Sequence, residues 1–275
     1  MIWLERAPLW ATGLVVLVAL IAAEQFGFTV RRIAIGAGRV EASDDGLGHL
    51  LSAALALLGL LVAFTFGSAS DRYDVRRHLV VEEANAIDST YLRIQVLDDG
   101  PKTALSALMT QYIRARQAFF QAGENAALLE QSEARTAVVK DRIWAATTAA
   151  VRANPAATIN PSLLQTTNDM FDLAASRRAA MDDRIPATVA RMLLIYALIS
   201  AVIIGYSMGH GRRHLVVTAA LFLALSLAIC LILDIDRPRA GTIRVSQAAM
   251  AREAASIDAA EAAKAGAPLP RLSWP

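Results

Sequence analysis

The sequence predicts an all-α, polytopic membrane protein. Four transmembrane helices form two hairpins, a cytoplasmic helical bundle lies between them, and the second transmembrane helix continues into that bundle. Three observations carry this expectation. Apolar residues make up 55% of the 275 and mean hydropathy is +0.41, too oily for an ordinary soluble chain. Four nearly charge-free runs have the length that crosses a bilayer as a helix. The rest of the chain carries apolar residues at alternating three and four spacings, the seam of packed helices, and shows no strand alternation.

The cleanest spans are Leu50 to Ser70 and Leu215 to Leu233, neither of which contains a charge. The first span begins at Pro8, is apolar through Ala23 and continues to Phe28 past Glu24 and Gln25; Met192 to Gly209 is the third. Span one does not read as a cleaved signal peptide, because Glu5 stands beside Arg6 in its n-region and no A-x-A site follows. Spans three and four are joined only by Gly209 to His214, which makes a tight hairpin. The expected division is residues 1–70 for the first hairpin, 71–188 for the bundle, 189–236 for the second hairpin, and 237–275 for a C-terminal turn, helix and tail.

Within the bundle, Val80, Ala84, Ile87, Tyr91 and Ile94 make one seam, and Leu105, Leu108, Tyr112, Ala115 and Phe119 a second. Thr136, Val139, Ile143, Ala146 and Ala150 make a third, and Leu164, Asn168, Phe171 and Ala175 a fourth. Asp98-Asp99-Gly100-Pro101, Gly123 and Asn154-Pro155 separate them, since Gly ends helices and a residue before Pro is pushed out of helical space. Neither Gly nor Pro occurs from Ser70 to Leu97, so Leu50 to Leu97 reads as one rod of about 70 Å. After span four, Asp236-Arg237-Pro238-Arg239-Ala240-Gly241 is a turn, Ser246 an N-cap and Gln247 to Ala265 a helix.

Charge and composition exclude several functions. Twenty-seven basic against 25 acidic residues leave a net charge of +2, too little for a nucleic-acid binder dominated by phosphate contacts. The single cysteine, Cys230, makes neither an internal disulfide nor a Cys-based metal cage. His49, His78, His210 and His214 have no metal-site spacing with acidic neighbours, and no zinc-protease, Walker, dinucleotide or nucleophile-elbow motif occurs. No enzyme, cofactor or resident metal is expected. No ionisable residue sits in the middle of a span, which disfavours proton-coupled transport.

With four spans, both termini and the bundle share one side. Eleven arginines lie near the membrane there, among them Arg6, Arg72, Arg76, Arg77, Arg184, Arg191, Arg237 and Arg239, against Arg31, Arg32, Arg39, Arg212 and Arg213 opposite. The positive-inside rule puts the bundle in the cytoplasm, and the protein is expected in the inner (plasma) membrane.

Span two is the informative stretch. Gly59, Ala63 and Gly67 form a small-residue stripe that lets another helix approach closely, and Ala56, Leu60 and Phe64 stack one position round from it. Periodicity alone allows two outcomes. The stripes pack against lipid or against the chain's own helices, or several copies surround an axis with Leu60 and Phe64 making a hydrophobic constriction.

The residues just past this span point to a family. Ala69-Ser70-Asp71-Arg72-Tyr73-Asp74-Val75-Arg76-Arg77 resembles the signature after the second membrane helix of bestrophins, approximately A-S-Y-D-R-W-W-E-A-R in bacterial members. Asp71, Arg72, aromatic Tyr73 and Arg77 match; Asp74 and Val75 replace the second Trp and the Glu. Val80-Val81-Glu82-Glu83-Ala84-Asn85-Ala86-Ile87, then Tyr91-Leu92-Arg93, and the late Asp234-Ile235-Asp236-Arg237-Pro238-Arg239-Ala240-Gly241 resemble the bestrophin-like bacterial membrane family over nearly the whole chain. The resemblance implies a homo-oligomer, a pentamer by analogy with the bestrophin anion channels, passing permeant ions passively along span two. The neck positions then fall at Ala56, Leu60 and Phe64, and Ala56 is smaller than the residue expected there.

The charged residues have alternative readings. Asp71, Arg72, Asp74, Arg76 and Arg77 make either a salt-bridged collar or pore-vestibule charge. Glu82, Glu83 and Asp88 read as a solvated face, and would favour cations if they faced a pore. Asp234 and Asp236 are expected to pair with Arg237, Arg239 or the Arg72–Arg77 cluster rather than to hold calcium. The reading that follows is an ion channel of bestrophin-like type in the lipid bilayer; the alternative is a non-conducting membrane scaffold or sensor whose bundle binds a partner.

Overall fold

The computed structural model describes residues 8–38, 46–208, 215–264 and 266. Among the described residues eight α-helices follow one another and no strand occurs. They are α1 (Leu9–Gly36), α2 (Gly46–Ile94), α3 (Asp99–Gln121), α4 (Ala126–Ala153), α5 (Asn160–Asp182), α6 (Ala187–Ser207), α7 (Leu215–Ile235) and α8 (Ala248–Lys264). The uninterrupted Ser70 to Leu97 stretch is helical through Ile94, within the 49 residues of α2. The connection holding His210, Arg212, Arg213 and His214, and that holding Arg39, lie outside the described residues.

Two compact units emerge: Met1–Tyr73 with Arg184–Ile243, and Asp74–Asp183 with Arg244–Pro275. The first holds the four helix segments long and apolar enough to cross a membrane. Here α1 packs on α6 and α7. The α1–α6 contact is close because both helices present glycine. A methyl group at Gly27 would lie 2.0 Å from the Val202 carbonyl oxygen, and one at Gly205 would lie 1.8 Å from the Glu24 carbonyl oxygen. Helices in lipid gain from such backbone approach, since no hydrophobic force draws them together. Ala197 and Ala201, buried two turns and one turn before Gly205, extend the same small-residue face. On the α7 side, the Ser226 hydroxyl donates to the Gly13 carbonyl at 2.7 Å. α1 runs eight residues beyond the expected end at Phe28, so Glu24 lies well inside the helix and is buried. Arg31 is buried too, with its guanidinium carbon 5.2 Å from the Tyr206 ring centroid.

The second unit is a helical bundle. The first seam is buried at all five positions, Val80 through Ile94. The second buries Leu105, Tyr112, Ala115 and Phe119, with Met109 fully buried where Leu108 is only half-buried. The third buries Val139 and Ile143, while Thr136, Ala146 and Ala150 are half-buried. The fourth seam is corrected by one position. Asn168 and Ala175 are exposed, and Leu163, Thr167, Met170, Phe171, Ala174, Arg177 and Met181 face the core. The slip arises because α5 carries apolar residues on both sides of its seam, so the spacing alone leaves its rotation open. Asn125 caps α4, its side chain accepting from the Leu128 amide at 3.1 Å, after Gly123 turns the chain with φ +56°.

Candidate functional site

The membrane part of α2 has two chemically similar faces, of which the chain uses one. Leu58, Thr65 and Ala69 are buried, with Leu55, Val62 and Tyr73 packed beside them against the core of their unit. Ala56, Gly59, Leu60, Ala63 and Phe64 are exposed and Gly67 is half-buried. Leu60 is 50% and Phe64 69% exposed. Among the described residues, nothing beyond the local helix backbone lies within 4 Å of where a Cβ would stand on Gly59 or Gly67. Both sequence stripes therefore point away from the chain's own core, and its intimate glycine contact is made by Gly27 and Gly205 instead.

The charged residues after this face divide in role. Asp71 is exposed, and Arg72 donates from Nη1 to the Ser68 hydroxyl (2.6 Å) and carbonyl (3.1 Å). In the bundle unit, Arg77 is exposed while Arg76 is buried, donating from Nε to the Ala180 carbonyl (2.9 Å) and from Nη2 to the Asp183 carbonyl (2.6 Å). It thus caps the end of α5, where helical carbonyls lack partners and the dipole favours a cation. Glu82 is half-buried, 3.0 Å from His78 Nε2.

Glu83 corrects the expectation of a solvated acidic run. Its side chain is fully buried, with one carboxylate oxygen bonded to Arg116 Nε and the other 2.5 Å from Arg177 Nη1. The Arg177 guanidinium lies 3.4 Å from the Phe120 ring centroid and also donates to Gln247, just ahead of α8. Burial alone would lower the Arg116 guanidinium, but the Glu83 charge holds it above its ordinary range. Burial pulls Arg177 down to about 10 despite the same carboxylate. Burial and the nearby Glu83 push the Tyr112 phenol up. Both arginines stay charged at neutral pH, so one acid and two bases join α2, α3 and α5. Sequence reasoning missed this node, although each of its charges sits on an apolar seam: Glu83 between Val80 and Ile87, Arg116 between Tyr112 and Phe119, Arg177 between Ala174 and Met181.

The late turn is held by its own backbone. Asp234 accepts from the Thr242 amide (2.6 Å), the Thr242 hydroxyl and the Ile243 amide (3.2 Å), which corrects the expected arginine pairing for this residue. A carboxylate on the penultimate residue of a helix lies beside the amides of the returning loop, which it accepts from directly. Asp236 accepts from the Ile185 amide at 2.9 Å. Gly241 is required, because a Cβ there would stand 2.5 Å from the Asp234 carbonyl and 2.7 Å from that of Arg237, the residue before Pro238. Among the described residues no group of three His, Cys, Asp or Glu gathers to hold a metal.

A family model described as Bestrophin-like domain matches residues 16–250. No curated protein and no solved structure matches.

Proposed function

The chain belongs to the bestrophin-like family, and on that premise we propose that it is a homo-oligomeric ion channel, a pentamer assembled around α2, passing ions passively across the inner (plasma) membrane. The observation that carries this reading is the outward face of α2: one side is packed by the chain, and the side bearing Gly59, Leu60, Ala63 and Phe64 is left open. Copies meeting there would bring helix backbones together at the glycines and turn Leu60 and Phe64 toward the axis. Such a ring is a barrier because it strips water from an ion and offers nothing in return. Ala56, smaller than the residue expected there, would leave the constriction shorter or wider. With the bundle in the cytoplasm, Asp71, Arg72 and Arg77 stand at the mouth, and anion preference rests on family resemblance.

The alternative is a non-conducting scaffold or sensor whose bundle binds a partner. One observation favours it: a groove in the bundle unit lined by Arg114, Arg135 and Arg142 beside exposed Val138. The test is flux of chloride, potassium and sodium from proteoliposomes carrying oligomer of verified mass. Flux above empty liposomes supports the channel; none from well-assembled protein supports the scaffold.

A further inference from the structure

The membrane unit contains a cavity of about 270 Å³ that α2 lines with the buried Thr65 and not with its outward face. Its wall comes from all four membrane helices: Val16 of α1, Thr65 of α2, Ala190 and Leu193 of α6, Ile229 and Ile232 of α7. Most of that wall is hydrocarbon. Arg184, Asp236 and Arg237 line it as well. Arg184 precedes span three and Arg237 follows span four, so both belong to the same edge of the membrane. Asp236 accepts from the Ile185 amide, and Arg184 is exposed. An apolar slot with a cationic rim at the bilayer edge has the chemistry of a phospholipid turned inside out: hydrocarbon within, negative charge at the interface.

We propose that this cavity takes an acyl chain of an anionic phospholipid, whose phosphate is held at the rim by the exposed Arg184. The occupant is drawn from the surrounding bilayer, and net positive charge at the rim selects it over zwitterionic lipid. Binding there braces α1, α2, α6 and α7 against one another from the inside. This inference goes beyond the channel reading and stands or falls without it.

The test is native mass spectrometry of the intact protein in mild detergent, titrated with phosphatidylglycerol and with phosphatidylcholine of the same chains. Wild type should bind one phosphatidylglycerol per chain at least about threefold more tightly than phosphatidylcholine. Arg184→Gln, an exposed change that leaves the fold alone, should bring the two lipids within about 1.5-fold of each other. Ala190→Phe fills the slot and should abolish the saturable event for both lipids; Ala190→Leu, a milder filling, should weaken it, with monodispersity checked for each. Equal binding of the two lipids by wild type, or saturable binding unchanged in monodisperse Ala190→Phe, overturns the proposal. If Ala190→Phe instead breaks the oligomer while lipid binding persists, the slot receives a neighbouring copy, which also overturns it.

Discussion

Glu83 and Arg177 form an ion pair with both side chains fully buried, 2.5 Å between Oε2 and Nη1. Arg116 takes the other carboxylate oxygen, so neutralising the acid would leave two arginines without their counter-charge. Removing one partner of a buried pair costs about 3–5 kcal/mol, whereas replacing the whole group by apolar residues is often neutral. Glu83→Gln should therefore lower the thermal unfolding midpoint sharply. Glu83→Leu combined with Arg116→Leu and Arg177→Met should recover most of the loss. A Glu83→Gln protein melting with wild type would mean that water reaches the node.

Glycine positions should separate by environment. Gly205→Ala sets a methyl 1.8 Å from a backbone oxygen, so α1 and α6 must part, at a cost of roughly 1–3 kcal/mol or more. Gly59→Ala meets nothing among the described residues beyond its local helix backbone and should leave the monomer's protease resistance unchanged. Gly59→Leu should split the oligomer while sparing the fold, measured by mass in detergent. Equal sensitivity of both sites to Ala would contradict the assignment of their faces.

The C-terminal helix should dock more tightly in acid. Glu253 of α8 has a buried Oε1 with no hydrogen-bond partner, and burial, with Asp88 of α2 beside it, raises its carboxyl to about 7. A folded value above the unfolded one means that the folded form binds the extra proton. Its stabilising contribution is full below the ordinary carboxylate range and lost as pH rises through about 7. Protection factors of the α8 amides, corrected for base-catalysed intrinsic exchange, should be larger at pH 5.5 than at pH 8, and Glu253→Gln should flatten the difference. Smaller protection factors at pH 5.5 would reverse the sign.

Truncating the proposed neck should open it. Phe64→Ala together with Leu60→Ala should raise ion flux in proteoliposomes several-fold with the oligomer intact, because a wider ring wets. Ion preference should not change, since charge rather than the apolar ring sets it. Reduced flux from an intact oligomer would place the barrier elsewhere.

The helices were legible because each follows from run length or period. Leu50 to Ser70 is long enough to span, and the absence of Gly and Pro after it let α2 continue to Ile94. Rotation about a helix axis was harder to read. On α5 a one-residue shift separates the expected Asn168 and Ala175 from the buried Thr167 and Ala174, because both rows carry some apolar residues. In span two, spacing gave the two stripes but not their direction; that depends on which face the other spans cover. The tight Gly27–Gly205 contact was overlooked although Ala197, Ala201 and Gly205 repeat every four residues in span three. Charged side chains were read by the rule that acidic runs are solvated, which fails for Glu83 because two arginines from other helices meet it.

The most direct test of assembly around the outward face of α2 is site-directed cross-linking in native membranes, in a Cys230→Ser background. Phe64→Cys, on the exposed face, should form a chain-to-chain product on oxidation or with a short thiol-reactive linker; Leu58→Cys, buried within its own chain, should not. Cross-linking at Leu58 but not at Phe64, or at neither with the oligomer intact, would contradict the account.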